Sequence, residues 1–218
     1  MCARFTLTRP DLSGVARLLG AELDPSEAAL HRPRYNVAPS QVAFVVRAGG
    51  GRTRLQPARF GFPGRRGQLV VNARAETAGR LPMFREAFQE GRCVVPSDGF
   101  FEWRGAAGKR QPLWYHRPDG GLVLMAGLAR SAADGQLEFV ILTTPANGEV
   151  RGVHDRMPAL LSPEEAAVWL ARPEPALLRP APEGGLAARP VSQRVNSVAN
   201  DDADCLAPAQ PPRQLGLL

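Results

Sequence analysis

The sequence predicts an α+β fold, in which a single domain has a curved, partly barrel-like antiparallel β-sheet core flanked by short helices. Short runs of β-type residues dominate the chain, and Pro or Gly interrupts them at intervals of roughly 10 to 20 residues. Helical patterns are few, and no regular βαβ alternation is present, which argues against a Rossmann-type or P-loop fold. With 218 residues, 44% of them hydrophobic, the chain can bury one substantial core.

Helical signals occur in four places, the first three of them short. Asp11 or Ser13 could cap a helix that ends at Leu19, and Pro25-Ser26-Glu27 can open a second one. Residues 81–90 carry apolar side chains at helical spacing and are followed by a glycine, which predicts a helix with a glycine stop.

The fourth helix has the clearest beginning. Ser162-Pro163-Glu164-Glu165 combines a Ser cap, Pro at the first helical position and Glu at the third. We expect the apolar side of this helix to carry Ala166, Trp169 and Leu170.

Strands are predicted wherever β-branched and aromatic residues cluster between turn residues. Residues 172–190 are rich in Pro, Ala and Gly and indicate a surface loop or a weakly ordered insertion, and residues 207–218 a C-terminal tail, so the domain is expected to cover residues 2–206. The predicted strands are 42–47, 70–73, 93–95, 100–103, 113–116, 122–129 and 137–143.

Composition limits the partners and the compartment. A net charge of +6 and a pI near 10.2 favour a polyanion such as DNA or RNA. No apolar stretch approaches 18 residues and the first residues lack the apolar run of a secretion signal, so we expect a cytoplasmic protein without a membrane segment. The three cysteines, Cys2, Cys93 and Cys205, are too widely spaced for a CxxC zinc site and odd in number, so no metal or other cofactor is predicted, and Cys93 and Cys205 are expected to be structural thiols.

Cys2 follows the initiator methionine directly, a position from which Met1 is normally trimmed. The mature protein would then begin with a cysteine, whose α-amine has a pKa of about 7.7–8.0 and is therefore partly neutral at pH 7. A neutral amine attacks an aldehyde to form an imine, and the adjacent thiol can close onto the imine carbon as a five-membered thiazolidine. On position alone, a structural or merely exposed cysteine at a frayed terminus is the alternative.

Amines are scarce elsewhere in the chain. Lys109 is the only lysine among 27 basic residues, and it lies in a turn-like Gly- and Ala-rich segment where its amine would stay protonated. If the protein handles aldehydes through an amine, the N-terminus is the better candidate.

Several short segments are polar in ways that a fold alone does not require. The most prominent are residues 1–5 (MCARF), 34–40 (RYNVAPS), 72–77 (NARAET), 96–103 (PSDGFFEW) and 153–158 (VHDRMP), with 126–128 (AGL), 141–147 (ILTTPAN) and 194–202 (RVNSVANDD) as further matches. In this order they resemble the SRAP (SOS response-associated peptidase) family of abasic-site-processing proteins over residues 2–206.

The resemblance implies covalent capture of abasic sites in single-stranded DNA. In that family the N-terminal Cys forms a stable thiazolidine with the aldehyde of the abasic deoxyribose and thereby shields the lesion during the response to DNA damage. The family is also credited with removal of its own initiator Met and with some abasic-lyase activity. A monomer is expected, associated with the nucleoid when bound to DNA.

The resemblance also assigns residues to roles. Cys2 would be the nucleophile, Asn72 would orient its amine, and Glu102 and His154 would move protons during ring opening, imine formation and closure. His is the natural proton carrier near neutral pH. Glu102 lies between two aromatic residues of a predicted strand, where strand alternation alone would turn it to solvent and a catalytic role would bury it with a raised pKa.

DNA contacts are expected from residues beside these positions. Arg4, Arg74 and Arg156 each neighbour a catalytic position and could hold phosphates that flank the lesion. Pro39 and Ser40 lie in the loop that, by the resemblance, follows the strand, and Thr144 is a weaker candidate. For any single Arg, a solvated surface charge is the competing interpretation.

Two departures from the family pattern stand out. Ala3 replaces the glycine that usually follows the Cys, and a Trp usual in the family is missing near Arg65, where the sequence reads FGFPGRR. The second departure concerns the DNA-facing surface, so the preference for strand ends or junctions is open.

Two other functions compete with this one. An N-terminal-nucleophile cysteine amidohydrolase would use the Cys2 thiol as nucleophile and the α-amine as base, but needs no basic surface and usually has a layered αββα pattern that is not visible here. A non-catalytic nucleic-acid-binding module would explain the charge but neither Glu102, His154 nor the terminal Cys.

Overall fold

The computed structural model describes residues 3–65, 67–106 and 110–209. Cys2 and Lys109, and with them the two candidate amines, lie outside the described residues, as do residues 210–218 of the predicted tail. Within the described residues, fifteen strands and six α-helices form an α+β fold, which confirms the predicted fold class.

The strands are short and lie along the whole chain. They are β1 (Phe5–Leu7), β2 (Arg34–Val37), β3 (Val42–Gly49), β4 (Arg52–Phe60), β5 (Phe62–Pro63), β6 (Leu69–Val70), β7 (Asn72–Arg74), β8 (Arg92–Ser97), β9 (Gly99–Arg104), β10 (Gln111–His116), β11 (Val123–Ser131), β12 (Leu137–Pro145), β13 (Arg156–Pro158), β14 (Leu160–Leu161) and β15 (Ala187–Pro190).

The helices are shorter still, and 3₁₀ turns complete the C-terminal part. The α-helices are α1 (Ser13–Leu18), α2 (Pro25–Ala28), α3 (Ala75–Ala78), α4 (Pro82–Glu90), α5 (Gly148–Arg151) and α6 (Pro163–Ala171), and the 3₁₀ turns are Pro175–Leu177, Gln193–Asn196 and Ala203–Leu206.

A closed ring of strands forms the centre of the fold. It runs β12–β4–β3–β8–β11 and returns to β12, with every neighbouring pair antiparallel except β4 and β12. Strand β7 adds a second parallel pairing to β12. A separate antiparallel sheet has the order β15–β10–β9–β1–β2.

The core lies on both faces of the ring, because alternate residues of its strands point to opposite sides. On one side Val46, Val94 and Val140 pack with helices α4 and α6, including the fully buried Trp169. On the other side Val45, Val95 and Ile141 pack against the second sheet. This second layer holds β1 and β9 in place, the strands that carry the site described below.

Several predicted elements are confirmed. The capping box at Ser162 is present: its hydroxyl accepts from the Glu165 N–H at 3.2 Å, and the Glu165 carboxylate accepts from the Ser162 N–H at 2.9 Å. Ala166, Trp169 and Leu170 are buried on the helix that follows. Residues 81–90 form α4, and the helix opened by Pro25 is α2, with Asp24 as its cap.

Other local predictions were wrong. The residue that caps α1 is Leu12, because the Asp11 carboxylate accepts from the Ser13 N–H at 2.9 Å and so forms a turn before the helix. The predicted strand 70–73 is two strands, since Leu69–Val70 pairs with β5 and Asn72–Arg74 with β12. Residues 172–190 are not a loop throughout, because Leu186 is buried and the segment ends in β15, which pairs with β10.

Candidate active site

A cavity of about 670 Å³ opens where the ends of β1 and β9 meet the turn between α5 and β13. We call it the Glu102 cavity. It is lined by Ala3, Arg4, Pro39, Glu102, Trp103, Gly105, Arg110, Val153, His154 and Val198. Ala3 is the first described residue and the neighbour of Cys2 in the sequence.

Glu102 supplies the cavity's carboxyl group. It lies in β9 opposite Leu113 of β10, and only 3% of its surface is exposed. The expectation from strand alternation that it faces solvent is therefore wrong, because this sheet is covered on both faces. Burial raises the pKa of Glu102 from 4.5 to about 7.

His154 brings an imidazole to the same cavity. It lies between α5 and β13, and its backbone N–H donates to the Val150 carbonyl at 3.0 Å, which closes the turn after the helix. Its Nδ1 atom is 2.9 Å from the backbone N–H of Arg156 and 2.9 Å from the Asp155 carboxylate. The first contact requires a lone pair on Nδ1 and the second a proton.

We assign the neutral imidazole, with Nδ1 accepting from Arg156 and the hydrogen on Nε2. Burial lowers the pKa of His154, which favours this form at neutral pH, and the Asp155 side chain is 84% exposed and therefore screened by water. If His154 takes a proton on Nδ1, this N–H can donate to the Asp155 carboxylate, and the hydrogen bond from the Arg156 N–H is lost.

Arg4 lines the cavity, and its guanidinium is engaged inside the protein. Its Nε donates to Asn36 at 3.0 Å, its Nη2 donates to the Val195 carbonyl, and its guanidinium lies 5.8 Å from the centre of the Trp103 ring. The Asn36 amide in turn donates to the carbonyls of Val195, Ser197 and Asn200 at 2.7–3.2 Å. This buried network ties the first residues of β1 to the 3₁₀ turn of the C-terminal segment.

A second cavity, of about 740 Å³, lies beside β7 and the start of α4. We call it the Asn72 cavity. It is lined by Arg65, Val70, Asn72, Ala73, Arg74, Thr77, Leu81, Pro82, Met83, Phe84 and Arg130. Both amide atoms of Asn72 are buried and have no hydrogen-bond partner among the described residues, whereas a buried amide in a folded protein normally has one.

The other residues that the sequence predicted to contact DNA differ in their exposure and in their partners within the protein. Arg74 is exposed and lines the Asn72 cavity. Arg156 forms a bidentate ion pair with Glu76 at 2.6 and 2.8 Å and leaves 13% of its side chain exposed. Thr144 is fully buried, and its hydroxyl donates to the Pro145 carbonyl at 3.2 Å, so it is not presented to a strand.

The loop residues Pro39 and Ser40 lie at the rim of the Glu102 cavity and just beyond it. Pro39 lines the cavity. Ser40 is exposed and has a φ of 71°, a left-handed conformation that is uncommon for a residue other than glycine and recurs at functional sites.

The structure thus brings Arg4, Pro39, Glu102 and His154 together around one cavity and places Asn72 and Arg74 on another. Sequence reasoning missed Arg110 and Trp103 as cavity residues. Trp103 follows Glu102 directly in the PSDGFFEW segment and could have been found there, whereas Arg110 carried no signal that separates it from the other arginines.

No group of three or more His, Cys, Asp or Glu side chains suited to hold a metal ion occurs in the part of the chain that the structure describes. In the same part, no helix has both the length and the apolar character needed to cross a membrane.

The cavity thus combines a buried carboxyl group and an imidazole with Ala3, the first described residue. The family model described as SOS response associated peptidase (SRAP) matches residues 1–198, and the chain belongs to this family.

Relatives with curated names cover nearly all of the chain. It is 32% identical to the abasic site processing protein YedK of Escherichia coli, over 95% of this chain and 100% of that protein. It is 31% identical to the abasic site processing protein YoqW of Bacillus subtilis, over 94% and 99%. A crystal structure of a protein from Bacteroides thetaiotaomicron shares the fold, with a TM-score of 0.79 and 24% identity over 96% of this chain and all of that one.

Proposed function

We propose that this protein processes abasic sites in single-stranded DNA and forms a thiazolidine crosslink with them through Cys2 once Met1 has been removed. Its close relatives carry the name abasic site processing protein. The basic composition suits a DNA partner, and the scarcity of lysine leaves the terminal amine as the main imine former. The crosslink would protect the lesion while replication and repair proceed.

The observation that carries the proposal is the pKa of Glu102, which burial raises to about 7 in a cavity that Ala3 and His154 also line. Capture of an aldehyde by an amine needs a group that is a base in one step and an acid in the next. Such a group works best when its pKa lies near the working pH, because both forms are then populated. Glu102 has this property beside the residue that follows Cys2.

Ring opening comes first, because the closed hemiacetal has no free aldehyde. In our proposal the Glu102 carboxylate takes the proton of the C1′ hydroxyl, the C1′–O4′ bond breaks, and Glu102 returns the proton to O4′. The neutral His154, with its hydrogen on Nε2, donates a hydrogen bond to O4′ and stabilises the negative charge that develops there.

Imine formation and closure follow. The neutral α-amine of Cys2 adds to C1′, and one of its N–H protons moves to the former aldehyde oxygen, which gives a carbinolamine. The Glu102 carboxylate takes the proton of the Cys2 thiol and gives it to the C1′ hydroxyl, which leaves as water, and the Cys2 thiolate then bonds to the iminium carbon. The products are a neutral thiazolidine and one water molecule, and Glu102 is a carboxylate again.

The test uses the mature protein and a single-stranded oligonucleotide with one abasic site, without borohydride. We expect a heat-resistant adduct with wild type, none with Cys2→Ala, and at most a reducible imine or oxazolidine with Cys2→Ser. A form that keeps Met1 behind an N-terminal tag should also form none, because its Cys2 nitrogen is an amide. A stable adduct that persists in Cys2→Ala would contradict the mechanism.

The same samples test the two further activities of the proposal. Intact mass spectrometry should show loss of Met1, and if the protein removes it itself, Glu102→Gln should retain it in a host lacking efficient methionine aminopeptidase. If the imine also undergoes β-elimination, Cys2→Ser should nick the strand more than wild type, since no thiol competes. An N-terminal-nucleophile amidohydrolase would instead give an acyl-enzyme on Cys2 with an amide substrate and no DNA adduct.

A further inference from the structure

The cations near the candidate active site differ in how far they are engaged within the protein. Arg4 is 8% exposed and donates to Asn36 and Val195. Arg156 is held in a bidentate ion pair by Glu76. An arginine whose donors are used inside the protein has little capacity left for a DNA phosphate. Arg4 and Arg156 are thus better suited to hold the site together than to hold the strand.

Arg110 has the opposite character. It lines the Glu102 cavity and is exposed, and no hydrogen bond or ion pair among the described residues engages its guanidinium. Its backbone is fixed, because the Arg110 carbonyl accepts from the Gln193 side chain at 3.2 Å and Gln111 begins β10 opposite Arg104. The side chain is therefore an available cation on an anchored backbone at the mouth of the cavity.

The charge of the cavity supports the same conclusion. Glu102 alternates between a neutral and a negative form near pH 7, and burial keeps His154 neutral. A strand whose lesion enters this cavity brings phosphates to its mouth, where the negative form of Glu102 repels them. A guanidinium with free donors meets this need and can bind a phosphate with two hydrogen bonds.

We propose that Arg110 binds a backbone phosphate next to the lesion and so holds the strand at the mouth of the Glu102 cavity. This inference rests on the proposed function for the identity of the strand, although the contact itself requires only a phosphodiester. Arg110 is a binding residue here and takes no part in proton transfer.

The experiment measures binding separately from chemistry. The probe is a fluorescent single strand with one tetrahydrofuran abasic analogue, which has no C1′ hydroxyl and cannot form an imine. Dissociation constants are measured over a range of salt concentrations for wild type, Arg110→Gln, Arg110→Lys and Arg104→Gln. Arg104 is the matched control, since it is an exposed arginine of the same hairpin that does not line the cavity.

We expect Arg110→Gln to bind about tenfold more weakly at low salt and to reduce the slope of log Kd against log salt by about 0.7, the loss of one phosphate contact on a single strand. Arg110→Lys should restore most of the slope, because it keeps the charge, and Arg104→Gln should change it less. At saturating natural abasic DNA, the control Arg104→Gln should crosslink at the wild-type rate.

The outcomes separate the two proposals. If wild type forms the adduct but Arg110→Gln keeps the wild-type slope, or loses no more than Arg104→Gln does, the inference on Arg110 is wrong and the proposed function stands. If the slope depends on Arg110 but wild type forms no adduct, the proposed function is wrong and the phosphate contact stands. A wild type that binds no DNA refutes both.

Discussion

The Glu102 cavity and the Asn72 cavity have nearly the same volume and different contents. The first holds the groups that can exchange protons, Glu102 and His154, and one available cation. The second is mostly apolar, with Met83 and Phe84 on its wall and arginines at its edge, and it has no acid or imidazole among its lining residues. The two cavities thus differ in their chemical character, since only the first is lined by side chains that can transfer protons.

The difference has a cause in the fold. Glu102 is buried because the ring of strands covers one face of β9 and the C-terminal segment covers the other, and burial is what raises its pKa to about 7. Arg74 stays exposed because β7 pairs with only one strand, β12, and is followed at once by α3. If this comparison is correct, a variant of Glu102 should change the rate of crosslinking, and a variant of Arg74 at the edge of the second cavity should change affinity.

The largest effect is expected for Glu102→Gln, which keeps the shape of the side chain but can neither take up nor release a proton. Crosslinking at saturating abasic DNA should slow by at least about 100-fold, the usual contribution of a positioned general acid or base. Affinity for the tetrahydrofuran analogue should stay within about twofold of wild type. Single-turnover rates and fluorescence anisotropy measure the two quantities, and an equal loss in both would break the distinction between the cavities.

The stability of the same variant provides an independent check on the pKa. A carboxyl group whose pKa is raised in the folded state stabilises the protein at low pH, and this contribution is lost as the pH rises from 4.5 to about 7. The loss for wild type is on the order of 3 kcal/mol, and Glu102→Gln should lack it. Denaturant unfolding at pH 5 and pH 8 should therefore show Glu102→Gln gaining stability relative to wild type at the higher pH, whereas an unchanged difference would mean that the pKa is not raised.

A smaller effect is expected for Asn72→Ala, which tests an amide shared by chemistry and strand binding. Because both amide atoms of Asn72 are without a hydrogen-bond partner among the described residues, its truncation breaks no hydrogen bond of that part of the protein. We expect the free energy of unfolding to stay equal or rise by about 1 kcal/mol, while crosslinking slows about tenfold because the reacting amine is positioned less well.

Asn36→Ala is the matched control for this prediction. The Asn36 amide accepts from Arg4 and donates to three carbonyls, so its removal leaves buried groups without partners. It should lower the free energy of unfolding by at least about 2 kcal/mol. If Asn72→Ala destabilises the protein as much as Asn36→Ala does, Asn72 has a structural role and the assignment to the reaction is lost.

Local signals account for what the sequence predicted well about the fold. The capping box at Ser162 and the helical spacing in residues 81–90 involve neighbours in the chain, and both were found. Strand β4 was missed, although the Gly50-Gly51 turn before it, with φ of 60° and 76°, is a hairpin signal. The predicted cap of α1 was wrong because the Asp11 carboxylate accepts from the Ser13 N–H and so forms a turn before the helix.

Prediction of the candidate site from the sequence is limited by the same dependence on contacts between distant parts of the chain. The motif around Glu102 pointed to its role, but the burial that sets its pKa depends on a sheet and a C-terminal segment that come together only in the folded chain. The sequence placed Arg4 and Arg156 beside the reacting groups, whereas their engagement with Asn36, Val195 and Glu76 becomes visible only in three dimensions. Adjacency in the chain therefore identified arginines that hold the site, and the exposed Arg110 could not be distinguished from 25 others.

The smallest effect is expected for Arg74→Gln at the edge of the Asn72 cavity. Arg74 is exposed, so its contact with a phosphate would be screened by salt and contribute modestly. We expect about threefold weaker binding of the tetrahydrofuran analogue at low salt, no change at high salt, and an unchanged crosslinking rate at saturating DNA. Arg80→Gln, an exposed arginine just beyond α3 that does not line the cavity, is the control. A slower rate at saturation in Arg74→Gln but not in Arg80→Gln would show that Arg74 itself contributes to the chemistry, and its assignment as a binding residue would have to be given up.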